Sequence, residues 1–171
     1  MIDEKYAQVC KMAIASVSGI ERTGLKILEL RDRYAKALMP LEGNTNHVGI
    51  MYAGSLFTLG EFAGGAIHLV SMDFSKFFPI VKEVRIRFRR PATTDVTMEV
   101  TMSEQEAIRL QAEAEKIGKA DYELSLQLKD ENGESVAEVA GVWQIRKIPE
   151  GMEPPNEIAG RNRRSRGLHL V

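Results

Sequence analysis

Residues 52–71 read YAGSLFTLGEFAGGAIHLVS, a run of small and apolar side chains holding a single acid, Glu61. Its length and spacing predict a long helix. At 1.5 Å per residue, about twenty residues rise roughly 30 Å, the width of a small domain, so the helix is expected to be central. Successive residues turn by about 100°. Leu56, Leu59, Ala63, Ala66 and Val70 therefore share a broad apolar face, and Gly54, Thr58, Glu61, Gly65 and His68 lie opposite. Gly60, Gly64 and Gly65 each cost about 1 kcal/mol relative to alanine inside a helix. Close approach of a sheet, a second subunit or a ligand offsets that cost. A carboxyl in such a setting is paired, neutralised or used in chemistry. On these residues alone, Glu61 reads equally as a carboxylate in a buried hydrogen bond or salt bridge, for instance to an arginine, or as an acid–base group. His68 reads as a core or interface histidine.

Just upstream, Asn44-Thr45-Asn46-His47-Val48-Gly49 forms a polar, turn-like approach to the helix, with His47 read first as a turn residue. Further upstream, residues 25–30 and 34–41 alternate and turn near Arg31-Asp32, which predicts an antiparallel hairpin. Pro40 suits its end. Residues 3–17 predict a short helix capped by Asp3, with Tyr6, Val9, Cys10, Ala13 and Val17 at helical spacing. Downstream, 80–90 (IVKEVRIRFRR) places Val84, Ile86 and Phe88 on one face and Arg85, Arg87 and Arg89 on the other. Strands follow at 95–102, 121–130 and 134–148, the last two joined at Asn132-Gly133, a hairpin signal. Residues 104–117 are strong helix formers ending at Gly118, and read either as a connecting helix or as part of a bulged strand. Residues 151–171, with Arg161, Arg163, Arg164 and Arg166, read as a loose basic tail. The sum is an α+β plan, one long helix against a largely antiparallel sheet.

A length of 171 residues fits one domain with a short extension. The net charge of −1 gives no basic field for nucleic acid. Cys10, the sole cysteine, leaves no intramolecular disulfide and no cysteine cluster for zinc. No secretory leader is expected, since Met1-Ile2-Asp3-Glu4-Lys5 opens no basic stretch followed by an apolar one, and no membrane span, since the apolar run is broken by Ser55, Thr58, Gly60, Glu61 and His68. A reducing cytoplasm is the expected setting.

The run from Asn46 to Gly65 resembles the hotdog-fold thioesterases, in particular the phenylacetate-pathway (PaaI-like) branch. That pattern is Asn, two residues, Gly, two residues, His-Gly-Gly, and an acid nine residues after the His. Here it stands as Asn46, Gly49, Tyr52-Ala53-Gly54 and Glu61, with Tyr52 replacing the histidine and Ala53 the first glycine. Thr58-Leu59 before the acid and Phe88-Arg89-Arg90-Pro91-Ala92 after the helix are similar too. The resemblance implies a hotdog fold, in which five to six mostly antiparallel strands wrap the helix. It implies an extension at 1–22, a thioesterase-like domain at 23–149 and a tail at 150–171.

The activity it implies is hydrolysis of acyl-coenzyme A thioesters without a cofactor or metal. Glu61 would be general base or nucleophile, and the backbone N–H of Gly54, with that of Ala53, the oxyanion hole. Asn46 would orient the carbonyl or water, and Tyr52 would donate a hydrogen bond. His47, Ala53, Thr58, Arg89 and Arg90 are the candidate substrate contacts, the arginines for coenzyme A phosphates. The implied assembly is a homodimer or a dimer of dimers (a homotetramer) with sites at the subunit interface. Two other readings stand beside it: a non-catalytic acyl-CoA binder, and an acyl-thioester hydratase or dehydratase using His47 with Glu61.

Overall fold

The central helix forms where its pattern places it. The structure, a computed structural model, describes residues 1–151, save the side chains of Gln8, Lys11 and Met12. The basic tail and its four arginines lie outside the described residues.

Helix α3 spans Ala53–Ser71. Leu56, Leu59, Ala63, Ala66 and Val70 are all at most 4% exposed, as the wheel requires. Each leucine or valine so buried contributes about 1.5–3 kcal/mol. Around α3 curls one six-stranded antiparallel sheet: β1 (Lys26–Arg31), β2 (Tyr34–Met39), β3 (Phe77–Phe88), β4 (Val96–Thr101), β5 (Lys119–Lys129) and β6 (Ser135–Lys147). Their order is β1-β2-β4-β5-β6-β3, so β1 and β3 are the edges. The helix packs on five of the six strands, β2 to β6, so the sheet wraps it rather than merely supporting it. This is a hotdog fold.

Residues 104–117 are a helix, α4 (Glu104–Ile117), which decides the open choice. Ser103 caps it by accepting from the Glu106 N–H at 3.1 Å, and Gly118 closes it at φ 85°, a conformation that favours glycine. Strand β3 starts earlier than the pattern suggested, at Phe77, and runs through Pro79. An edge strand tolerates a proline because it lacks one neighbour to bond.

At the N-terminus, a 3-10 turn (Glu4–Tyr6) leads into α1 (Ala7–Ala15), and α2 (Ser18–Glu21) follows. Two expectations fail here. Asp3 makes no side-chain cap; instead its N–H donates to the Leu30 carbonyl at 2.9 Å. Val17 lies beyond the helix and is 49% exposed. The opening residues are laid along β1 instead: Ile2 bridges Leu30 in parallel, and the Lys5 ammonium and the Tyr6 hydroxyl both bond Asp32. That strap holds α1 over one flank of α3.

Candidate active site

Why α3 begins at Ala53 is settled by Asn44. This residue is 5% exposed, and its Nδ2 donates to the carbonyls of Thr23 (2.7 Å) and Pro40 (2.9 Å). Its Oδ1 accepts from the Ser55 hydroxyl at 2.8 Å, and its carbonyl accepts from the Tyr52 N–H at 2.7 Å. A buried amide so fully bonded fixes the helix start against the β1–β2 hairpin. The sequence reading gave Asn44 no role. Only its neighbours in space distinguish it from Asn46.

Asn46 does a different job. Its Oδ1 accepts from the Val48 N–H at 3.0 Å and the Ile50 N–H at 3.3 Å, which shapes the loop that Gly49 turns at φ 81°. Its Nδ2 has no partner among the described residues. His47 is exposed on the same loop.

The N–H groups of Ala53 and Gly54, first in α3, donate to no acceptor among the described residues. They carry the positive end of the helix dipole. Tyr52 precedes them, 57% exposed, and its ring lies against Gly54 so closely that a side chain there would collide with it. Two turns further along α3 is Glu61. Among the described residues no hydrogen bond or ion pair reaches its carboxylate, so the paired-arginine reading fails. Burial holds the Glu61 carboxyl above its ordinary value near 4.5, because the charged form is poorly solvated there. Thr58, between them, donates its hydroxyl to the Gly54 carbonyl at 2.9 Å.

Glu61 opens onto a cavity of about 350 Å³ between α1, α3 and the start of β3. Its walls include Val9 and Ala13 of α1, Gly65 and Leu69 of α3, and Phe77 and Phe78 of β3. Among the described residues, apart from Glu61, only Ser16 and His68 bring polar side chains to it. His68 is 1% exposed, and its Nε2 lies 3.1 Å from the Phe77 carbonyl. Burial pushes it down to about 4, so the ring is neutral. The face opposite the apolar one is therefore not uniform: Gly54, Thr58, Glu61 and Gly65 are half-open, whereas His68 belongs to the core.

Two of the three costly glycines are explained by the sheet. A side chain at Gly60 would come within 2.7 Å of Val139, and one at Gly64 would run into the Trp143 indole. The Tyr122 hydroxyl donates to the Gly64 carbonyl at 2.9 Å and stacks its ring on Trp143, 6.4 Å between centroids. Arg89 and Arg90 are elsewhere, bonded to Glu138 and Glu134 at the far end of β3. Among the described residues no cluster of histidine, cysteine and carboxylate side chains is placed to hold a metal.

A long helix wrapped by one antiparallel sheet in this strand order is the hotdog fold of the thioesterase superfamily. Within that class the chain belongs to the family described as a domain of unknown function, DUF4442, whose model matches residues 8–145. A Pseudomonas aeruginosa protein described as a probable thioesterase of unknown function is 44% identical, over 82% of this chain and 95% of that one, with a TM-score of 0.77. Two more distant structures share the fold. A Chlorobaculum tepidum protein of unknown function is 18% identical over 82% of this chain and 96% of its own, with a TM-score of 0.73. A Haemophilus influenzae thioesterase is 14% identical over 88% and 94%, with a TM-score of 0.64. No curated protein matches the chain.

Proposed function

We propose that this protein hydrolyses acyl-coenzyme A thioesters, with Glu61 as the general base or nucleophile. The observation that carries the reading is Glu61 itself: a desolvated carboxyl with no partner among the described residues, in the wall of a largely apolar cavity, on the same helix face as Gly54, whose N–H, like that of Ala53, meets no acceptor among the described residues. A structural carboxylate in that position would be bonded. The description of the 44% identical relative as a probable thioesterase supports the same activity.

In the general-base form, Glu61 takes a proton from water as the oxygen attacks the thioester carbonyl. Negative charge gathers on the carbonyl oxygen, where the Gly54 and Ala53 N–H groups and the helix dipole stabilise it. One such donor is worth about 2.7–4 kcal/mol. The C–S bond then breaks, and Glu61 returns its proton to the departing thiolate. In the nucleophile form, the carboxylate attacks first and water opens the mixed anhydride. The Nδ2 of Asn46, without a partner among the described residues, orients the carbonyl or the water, and the Tyr52 hydroxyl donates where the PaaI-like pattern has histidine. Thr58 holds the first turn; His47 and Ala53 border the acyl thioester. Arg89 and Arg90 exchange their surface carboxylates for coenzyme A phosphates, which is cheap because exposed ion pairs are worth about 0–1 kcal/mol. No cofactor or metal takes part, and the cytoplasm is the proposed setting.

The test is hydrolysis of an acyl-CoA panel by wild type and Glu61→Gln. Turnover lost in the variant, with coenzyme A binding retained, supports the mechanism. Equal turnover sinks it. Tight binding without turnover in the wild type would make the protein an acyl-CoA binder instead.

A further inference from the structure

Gly65 is the one glycine of α3 that packing among the described residues does not explain. Its neighbours Gly60 and Gly64 are held small by Val139 and Trp143, whereas a Cβ added at Gly65 meets nothing within 4 Å. Residue 65 faces the cavity, one turn beyond Glu61. From Glu61 through Gly65 to Leu69 the cavity follows α3 for eight residues, or about 12 Å. Ala13, on α1, is another small side chain in its walls, and the aromatic rings of Phe74, Phe77 and Phe78 also line it. A helix gives up stability at a glycine, so open space there is expected to serve an occupant.

We propose that Gly65 is the specificity-determining residue of the acyl pocket, and that the substrates are thioesters of linear, apolar, medium-chain acyl groups running from Glu61 over Gly65 beneath α1. This rests on the thioesterase reading above. Among the described residues no cationic side chain, and no carboxylate other than Glu61, lines the cavity, which favours an apolar occupant. It is longer than an acetyl group because the cavity extends a full two turns of helix past the acid. Buried methylenes each strengthen binding by about fourfold. Affinity in the wild type therefore climbs with chain length until the cavity is filled.

The experiment compares wild type, Gly65→Ala and Gly65→Leu. Hydrolysis of acetyl-, hexanoyl- and decanoyl-CoA is measured alongside calorimetric binding of the matching non-hydrolysable S-alkyl-CoA thioethers. Leucine is a better helix former than glycine and has room at this position, so the variant is expected to fold. The expected result is a fall of at least tenfold in the decanoyl-to-acetyl ratio of kcat/KM and a similar loss of chain-length preference in thioether binding, with Gly65→Ala in between. Ala13→Leu fills the same cavity from α1 and should shift the ratio the same way if Gly65→Leu fails to fold. An unchanged ratio in both variants overturns the proposal. So does a Gly65→Leu protein that loses its oligomeric state in sedimentation, since Gly65 would then be clearance for a partner chain. A wild type that hydrolyses none of the thioesters but binds thioethers with a Gly65-dependent length preference refutes the thioesterase reading and leaves the pocket assignment standing.

Discussion

Glu61 and His68 sit two turns apart on one helix, and burial acts on them in opposite directions. Glu61 has a folded-state pKa raised above its unfolded value. Its contribution to stability is fully present below the unfolded value and is lost as pH rises through the raised one. Removing the charge should therefore help at neutral pH: Glu61→Gln is expected to melt higher than wild type at pH 7 and equally at pH 4. Activity moves the other way. General acid–base groups contribute about 10²–10⁴-fold, so the same variant should lose at least a hundredfold in kcat. The acid limb of the wild-type kcat/KM profile should fall above the ordinary glutamate value near 4.5. Both are read by melting curves and steady-state rates across pH; an acid limb below that value would show Glu61 well solvated. His68 is depressed to about 4 from 6.5, so it stabilises above 6.5 and that support drains away as pH falls toward 4. The loss is about 3 kcal/mol. Denaturant titrations of His68→Gln should show a weaker loss of stability between pH 6.5 and 4 than wild type, from a lower starting point.

Along α3, the glycines separate packing from function. Gly64→Ala forces a methyl into the Trp143 indole, and overpacking of this kind costs about 1–3 kcal/mol. Gly65→Ala places the same methyl in open space and recovers about 1 kcal/mol of helix propensity. Chemical denaturation should thus rank the two variants on opposite sides of wild type, and like signs would remove the distinction. This contrast also marks how far the sequence could be read. Periodicity revealed α3, its buried face and the β5–β6 hairpin, because each depends on neighbours close along the chain. The start of β3 escaped it because Pro79 argues against a strand, and only the position of β3 at the sheet edge removes the objection. Glu61, Gly54 and Asn46 were legible as a spaced motif. The cavity was not, since Val9 and Ala13 reach Gly65 only through the strap that binds the N-terminus to β1. Asn44 and Asn46 look alike in sequence, and burial alone makes the first a structural hub. Asn44→Ala would leave the Thr23 and Pro40 carbonyls and the Ser55 hydroxyl short of partners, at about 1–3 kcal/mol each.

At the scale of the molecule, the six-stranded sheet of the described residues ends in a long edge, β3. Strand β3 is twelve residues long and, among the described residues, pairs on one side only, with β6. Long edges invite pairing with another chain, and proteins that remain single shorten or block them. Here Val81 is 42% and Phe88 48% exposed, and the helix-start residues Tyr52 and Phe57 add further open aromatic surface at 57% and 41%. A two-fold dimer joined along β3 would turn two six-stranded sheets into one and bring a second chain toward the helix that bears Glu61. Val81 lies in the central part of β3, and in a dimer whose antiparallel two-fold axis passes there the residue is set against its own copy. Val81→Asp would place two like charges together at that axis, which is destabilising. It should convert a dimer joined in this way to monomer in sedimentation while the circular dichroism spectrum stays unchanged. Hydrolysis should fall with the dimer and return as concentration drives reassociation. A Val81→Asp protein that stays dimeric with full turnover would show that the copies meet elsewhere, and a monomeric one with full turnover would show that each chain holds a complete site.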